Sequence, residues 1–397
     1  MSLVVVSLSG ASVILDDISL DSITVDEVKR RASAHLIGGE AALPSFRRLL
    51  KGGDELPGNG STLAEAGVAH GDTLTLVARW ASVLVASYRD GHVRVLDTTG
   101  TDAELCWRFG DAAVAISWCG DGQRLAVASI FNADGRGKLG VYARASGQQE
   151  EVHQLDGPAA DAHWAPGGAD MAVADPDVVR VVGPSKPVRD LRIGGAAVPP
   201  SVRLGRAQIT AAAWSPDGAC MAIGVGGVHS AGGVCCLGVD SGRTIWGCDT
   251  WRFVHAVAWS ADGARLAVAA GNPGQQGGVA VVLRATGGSP ERSWRLASPA
   301  LGVSWSPDGE RLAIAVSEAR ARKGSVLIFS LSAEGQECQR SWQLGGAACC
   351  VAWSPDGERL AAGSGDGPVH VFDVRTGEET CRWDFQVAAT ALAWSPC

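Results

Sequence analysis

The chain has 397 residues, 46% of them hydrophobic and 19% charged, with a formal net charge of −8. That length allows two or three hydrophobic cores, and the composition excludes a disordered acidic or basic tail. The negative balance argues against a dedicated nucleic-acid binder, which carries a basic stripe. Tyrosine and phenylalanine are scarce, whereas 14 tryptophans and 52 glycines suggest a repeated unit that uses one Trp and several Gly each time. No run approaches the roughly 18 apolar residues that span a bilayer. Leu3–Val6 is too short, and lacks the basic leader, for a secretory signal. Eleven cysteines, odd in number and scattered, read as buried thiols of a reducing compartment, so a cytoplasmic or nuclear address is expected. No C-x-x-C spacing with partner histidines occurs, so neither a metal nor a cofactor is expected.

In chain order, residues 1–80 read first as a hairpin, Leu3–Leu8 and Ser12–Leu15 around Ser9-Gly10. A helix comes next, with Thr24 as N-cap and Glu27 three residues on. After it come a strand at Phe46–Lys51, a Gly52-Gly53-Asp54 turn, a short helical stretch at Thr62–Ala66 and a last strand at Thr73–Ala78. This order is a compact α+β unit.

The pieces Ser7-Leu8-Ser9-Gly10, Arg48-Leu49-Leu50-Lys51-Gly52-Gly53-Asp54-Glu55-Leu56, Thr62-Leu63-Ala64-Glu65-Ala66-Gly67-Val68 and Gly71-Asp72-Thr73-Leu74-Thr75-Leu76-Val77 resemble a ubiquitin-like domain of the β-grasp type. The resemblance implies that Leu8, Leu50 and Val77 match the apolar patch that ubiquitin receptors grip. A packing role for Leu50 and Val77 is the alternative. Arg79 runs on into Trp80-Ala81 with no free diglycine, so a conjugated modifier is excluded. The four residues Arg79–Ser82 are too few for a flexible linker, so the small domain is expected to be fixed against the remainder of the chain.

From residue 81 a repeat takes over. V-S-W-S-P-D-G-E-R-L-A-I-A at Trp305 returns at Trp214, Trp259 and Trp353, more weakly at Trp118 and Trp164, and shortened at Trp394. Successive Trp spacings are 46, 50, 45, 46, 48 and 41. Pro-Asp-Gly between apolar runs is a tight turn: Pro presets φ, Asp bonds its own backbone and Gly takes positive φ. Four strands per unit, repeated radially, predict a mainly β fold, a seven-bladed β-propeller. Asp366-Gly-Pro-Val-His-Val-Phe-Asp373 and Asp90-Gly-His-Val-Arg-Val-Leu-Asp97 resemble the WD-repeat family. The family's Gly-His pair is absent, and Phe372-Asp373 or Leu96-Asp97 replaces its Trp-Asp. The ring is expected to close by pairing the C-terminal strand, about 387–395, with strands from about 83–109, bringing Cys397 near Trp80 and Ala81.

No catalytic constellation stands out. Gly226–Gly233 and Gly271–Gly278 resemble phosphate cradles but neither ends in Gly-Lys-Ser/Thr. His35, His153, His163, His255 and His370 have no metal spacing, and the repeated Asp217, Asp262, Asp308 and Asp356 are explained by turn chemistry. Candidate binding residues lie instead in the long loops between second and third strands: Asn132, His229, and the cluster Arg320, Arg322 and Lys323. A second basic stretch is Lys186, Arg189, Arg192, Arg203 and Arg206, suited to an acidic peptide or phosphate. The expected function is a non-catalytic adaptor. Its propeller would hold a client or complex subunit, and its small domain a ubiquitin-receptor or degradation-pathway protein. It would act as a monomer or within a larger complex, with no nucleic-acid or membrane partner. The alternatives are a translation-factor-like assembly propeller and a propeller hydrolase or lyase using the central channel.

Overall fold

The computed structural model describes all residues except 1–2, 8–11, 16–17, 34–46, 52–53, 57–60, 70, 79–82, 99–102, 110–111, 131–135, 145–146, 184–185, 204–207, 228–231, 273–274, 319–322, 333–337 and 397. The chain divides into two compact units, Met1–Ser82 with Ala143–Gln148, and Val83–Tyr142 with Gln149–Cys397. Trp80, Ala81 and Cys397, expected to lie together, fall outside the described residues.

In the first unit β1 (Leu3–Ser7) and β2 (Ser12–Leu15) form an antiparallel pair. The helix α1 (Val25–Ser33) begins where Thr24 Oγ1 accepts the Glu27 N–H at 3.3 Å, the expected cap. Its Val25, Val28 and Ala32 are fully buried with Leu3, Val5, Leu49, Leu63 and Leu74. The strands β3 (Arg47–Lys51), β4 (Asp54–Glu55) and β5 (Thr73–Ala78) complete a five-stranded sheet of order β2-β1-β5-β3-β4, in which β1 and β5 run parallel. The helical stretch expected at Thr62–Ala66 is a single turn instead. Thr62 and Glu65 cap each other reciprocally, Glu65 N–H to Thr62 Oγ1 at 3.3 Å and Thr62 N–H to Glu65 Oε2 at 2.9 Å. Gly67, at φ +75°, ends the turn before a second can form.

In the second unit the described residues form seven four-stranded antiparallel sheets. Their first strands are Ala113–Trp118, Asp161–Trp164, Gln208–Trp214, Val254–Trp259, Ala300–Trp305, Ala348–Trp353 and Ala389–Trp394, so each ends on the repeat tryptophan. Neighbouring first strands touch in that order, and Ala389–Trp394 touches Ala113–Trp118 in turn, which closes the cycle. The sheet of Ala389–Trp394 is completed by Val83–Tyr88, His92–Asp97 and Ala103–Arg108, with Trp394 opposite Leu84 and Ala389 opposite Tyr88. Thr390 Oγ1 donates to Ala113 O at 2.7 Å and lies 2.8 Å from Ser87 Oγ, joining this sheet to the next. Second strands such as Arg311–Glu318 are buried between layers, whereas the outermost, such as Cys338–Leu344, alternate with solvent.

The repeat motif works in two directions. Locally, Ser215 Oγ donates to Asp217 Oδ1 at 2.5 Å and accepts the Cys220 N–H at 2.9 Å, while Asp217 also accepts the Ala219 N–H at 3.0 Å. Ser260, Ser306 and Ser354 repeat the arrangement with Asp262, Asp308 and Asp356. The Ser215 hydroxyl, then the Ala219 N–H, hold the Asp217 carboxyl below its ordinary range. Across the seams, the Trp214 indole donates to His163 O, Trp259 to Ala213 O, Trp305 to Ala258 O and Trp394 to Ala352 O, at 2.9–3.3 Å. The arginine after the turn reaches a repeat tryptophan of the next sheet: Arg124 lies over Trp164, Arg311 over Trp353 and Arg359 over Trp394, 4.6–5.2 Å from their centroids.

One seam carries an ion pair. His163 Nε2 lies 3.0 Å from Asp161 Oδ1 on the same strand, and Asp161 Oδ2 accepts the Ala212 N–H of the next sheet at 3.1 Å. Burial opposes the imidazolium, but the Asp161 carboxylate outweighs it and raises the His163 pKa. Burial likewise opposes the carboxylate, and the His163 charge and backbone donors lower the Asp161 pKa. A raised histidine contributes stability that is complete below about pH 6.5 and is lost as pH rises through the folded value. The depressed Asp161 contributes above its ordinary 3.8 and is lost as pH falls through its folded value.

Two substitutions test these contacts. Ser215→Ala leaves the part-buried Cys220 N–H without its acceptor and should lower the urea midpoint by the equivalent of about 1 kcal/mol; an unchanged midpoint refutes the role of the hydroxyl. An NMR titration of the His163 ring should give a midpoint above 6.5, and His163→Gln should flatten the fall of stability as pH rises above about 6.5. A midpoint at or below 6.5 refutes the ion pair.

Candidate interaction surface

Strand register defines two ends of the second unit. Trp259 faces Leu266 beside the Ser-x-Asp-Gly turn, whereas Val254 faces Ala270 at the other end, where Gly271 pairs with Gly278 and Gly278 with Leu296. The loops between second and third strands therefore share an end with the connections from each fourth strand to the next first strand. Turn residues occupy the opposite end. The candidate binding residues belong to the loop end.

Of those residues, Asn132, His229, Arg320 and Arg322 lie outside the described residues. Lys323 is exposed, but it opens the strand Lys323–Ser330 opposite Glu318 instead of standing in a loop. The second basic stretch is not a bare cationic patch. Arg189 pairs with Asp240 and Arg192 with Asp190, each at 3.5 Å. Lys186 opens the strand Lys186–Leu191, Arg203 ends the short helix Pro200–Arg203, and Arg206 lies outside the described residues. In the first unit Leu8 is likewise outside. Leu50 is half-buried, opposite Thr75, and Val77 stands opposite Arg48, so register places positions 50, 75 and 77 on one side of the pleat.

Both glycine-rich segments are hairpin ends. Gly226 pairs with Gly232, and a side chain at Gly232 would strike the Arg252 carbonyl. That close approach of backbone explains the glycine without a phosphate. His255 is held by Gly271 O at 2.9 Å and packs on Phe253, and burial lowers its pKa. Cys235 is pushed up to about 12 by burial, which leaves it a poor nucleophile. Among the described residues no three His, Cys, Asp or Glu side chains are arranged to hold a metal ion.

One surface feature has no signature in the sequence. Trp251, in the connection between Thr244–Asp249 and Val254–Trp259, is 59% exposed and sits at φ +52°. A left-handed backbone costs a bulky L-residue roughly 1–2 kcal/mol. The turn is held by the Thr250 and Trp251 N–H groups donating to Gly232 O, and by Thr250 Oγ1 donating to Arg252 O at 2.8 Å. Arg252, half-buried beside it, donates to Gly277 O at 3.3 Å. Trp and Arg side by side at a loop end are the residue types that dominate protein interfaces. Only a preference for Gly or Asn at such a turn could have flagged the position, and Trp hides it. Gln386, three residues before Ala389–Trp394 as Trp251 is before Val254–Trp259, also has positive φ, at +56°.

Comparison with known proteins bears on the fold. Residues 321–396 match the family described as the anaphase-promoting complex subunit 4 WD40 domain. No curated protein matches the chain. Among solved structures, Kuenenia stuttgartiensis hydrazine synthase superposes with a TM-score of 0.59 at 16% identity, covering 77% of this chain and 93% of that one. The β-propeller domain of Myceliophteria thermophila Cps50 (Swd1) gives 0.57 at 15%, covering 77% and 94%. At such identities the likeness is one of fold, a β-propeller, and the matched segment at residues 321–396 is similar to a WD40 domain.

Proposed function

We propose that this chain is a non-catalytic protein-interaction scaffold: a seven-bladed WD40 propeller that docks a protein partner on its loop end, preceded by a ubiquitin-like domain. The observation that carries the reading is Trp251, exposed on a backbone conformation that disfavours it, on a rigid sheet framework. Strain kept at an exposed aromatic points to use of the side chain. The WD40 fold supports the scaffold class, and the matched family's own name describes a complex subunit, in keeping with assembly into a larger complex. The carboxylate and imidazole groups on the first strands, Asp161, His163 and His255, are all engaged in structural contacts, which favours a scaffold over a channel-mouth enzyme. The thiols burial has raised, such as Cys235, fit a reducing compartment.

The ubiquitin-like reading of the first unit rests on its sequence pieces and on the order β2-β1-β5-β3-β4 about one helix. In this reading Leu8, Leu50 and Val77 form the handle for a ubiquitin-receptor or degradation-pathway partner.

Two measurements test the proposal. Affinity capture with the intact chain, Trp251→Ala, and a Leu8→Ala, Leu50→Ala, Val77→Ala variant should give two separable losses: a propeller partner from the first variant, and ubiquitin-receptor or proteasomal proteins from the second. Identical partner lists for all three baits refute both handles. In urea unfolding, Trp251→Gly should be more stable than Trp251→Ala by about 1 kcal/mol, because only Gly relieves the left-handed strain. Equal stabilities show that the turn stores none.

A further inference from the structure

The third strand of the second described sheet, Val179–Gly183, divides its side chains between the two neighbouring sheets. Val179 and Val181 are buried with residues of the third sheet, whereas Val173, directly opposite Arg180, is buried with residues of the first. Alternation therefore sends Arg180 toward the first sheet. There it is shared among three carboxylates: Asp156 Oδ2 at 2.7 Å, Asp175 Oδ2 at 3.3 Å and Asp190 Oδ1 at 3.5 Å. Asp156 comes from the connection that precedes the sheet, Asp175 from the turn between its second and third strands, and Asp190 from its fourth strand. Asp177, in the same turn as Asp175, adds a fourth carboxylate, and Arg192, 3.5 Å from Asp190, a second guanidinium. A hollow of about 540 Å³ among Ile193, Val202, Ile209 and Val225 lies on the side of the third sheet and takes no part in this cluster.

Burial sets Asp175 apart from the other three. Asp156, Asp177 and Asp190 are exposed, whereas Asp175 is only 5% exposed. Its Oδ1 is shut off from solvent and has no hydrogen-bond partner among the described residues. Burial raises its carboxyl to about 6 against the pull of Arg180, with Asp156, Asp190 and Asp177 pushing the same way as burial. An ionised oxygen enclosed without a donor is costly. A side chain or a metal ion would need an open approach to relieve that cost, and this oxygen offers none. A proton needs no such opening. The turn that carries Asp175 also holds a seam: the Asp175 N–H donates to Val178 O at 2.8 Å, and the Ile209 N–H of the third sheet donates to Pro176 O at 2.7 Å.

We propose that Asp175 is a proton-binding site whose proton latches the Asp175–Val178 turn, holding it against the third sheet when bound and loosening it when released. With the proton on, Arg180 is left to Asp156 and Asp190, and no negative charge is enclosed. With it off, three carboxylates share one guanidinium and one buried oxygen is uncompensated, so the turn opens more often. The device goes beyond the scaffold reading, because it makes the loop end of one sheet answer to acidity whether or not a partner docks there. A carboxyl held above its ordinary 3.8 contributes stability that is complete below 3.8 and is lost as pH rises through about 6. His163, on the first strand of the same sheet, loses its contribution in the same direction. The two are separable: substituting His163 removes a stabilising pair, whereas neutralising Asp175 removes a cost.

The test compares the intact wild-type chain with Asp175→Asn, which keeps the shape of the side chain and cannot ionise. Carbon-13 NMR of the wild-type Asp175 carboxyl, assigned through its own Cβ, should titrate with a midpoint near 6. Hydrogen-exchange protection of the Ile209 amide, corrected for the intrinsic exchange rate, should fall by about tenfold or more between about pH 5 and 8 in the wild type, and that fall should be lost in Asp175→Asn. In urea, the variant should unfold at a higher midpoint than the wild type at about pH 8, and the difference should close as pH falls below about 4. A carboxyl midpoint below about 5 overturns the proposal. So does an Ile209 amide whose protection falls equally in both proteins, or a variant no more stable than the wild type at the higher pH. The carboxyl titration needs no variant, so it decides the matter even where Asp175→Asn fails to fold.

Discussion

The indole at the end of each first strand is the contact on which the ring depends. It places a large apolar surface between two sheets and, in four of the seams, donates its N–H to the carbonyl just before the preceding tryptophan. In those four seams one residue fixes both the distance and the offset of adjacent sheets, and contacts between neighbouring first strands around the cycle bring Ala389–Trp394 back against Ala113–Trp118. Burial provides the energy, since a sheet with one uncovered face is unstable alone. The hydrogen bond provides the register.

The seams are not identical, and the differences trace to single residues. Where the residue before the preceding tryptophan is serine, as at Ser117 and Ser304, that hydroxyl accepts the backbone N–H of the next tryptophan, Trp164 or Trp353, at 3.2 Å. In both seams the indole N–H is left without an acceptor, and an arginine, Arg124 or Arg311, lies over the ring. The absence of the Gly-His and Trp-Asp elements that mark WD repeats has therefore not left the sheets unlinked. A serine-to-backbone bond and a stacked guanidinium act where the indole bond is missing, and the ring tolerates the exchange because each seam is a local interface.

The candidate binding features concentrate where this regularity is interrupted. At the turn end four of the sheets share one Ser-x-Asp-Gly turn whose Ser, Asp and backbone donors are paired. The loop end carries the exceptions: a tryptophan and a glutamine at positive φ, a long insertion that leaves a hollow, and a carboxylate cluster short of cations. A rigid β framework with irregular connections at one end keeps such groups in place before a partner arrives, which lowers the ordering cost of binding. Several of the basic residues singled out in the sequence lose their candidacy on this view. Arg189 and Arg192 are matched by Asp240 and Asp190, partners that no spacing rule connects to them in advance.

What the sequence by itself determined is what depends on contacts a few residues apart. The Trp spacing, the Ser-x-Asp-Gly turns with their i to i+2 and i to i+5 bonds, the hairpin role of the glycine-rich segments and the Thr24 cap of α1 all arise from neighbours along the chain, so composition and order reveal them. The short helical stretch expected at Thr62–Ala66 is a single turn because Gly67 ends it, a local effect too, but one in which capping and termination compete within five residues. Only the tertiary structure decided which carbonyl each indole meets some 45 residues away, that Asp161 reaches the Ala212 N–H across a seam, that Trp251 must turn left-handed beneath the Gly232 carbonyl, and that Ile193, Val202 and Val225 surround a hollow. These depend on how sheets stack, and stacking sums many weak contacts between distant segments that leave no periodic mark on the chain.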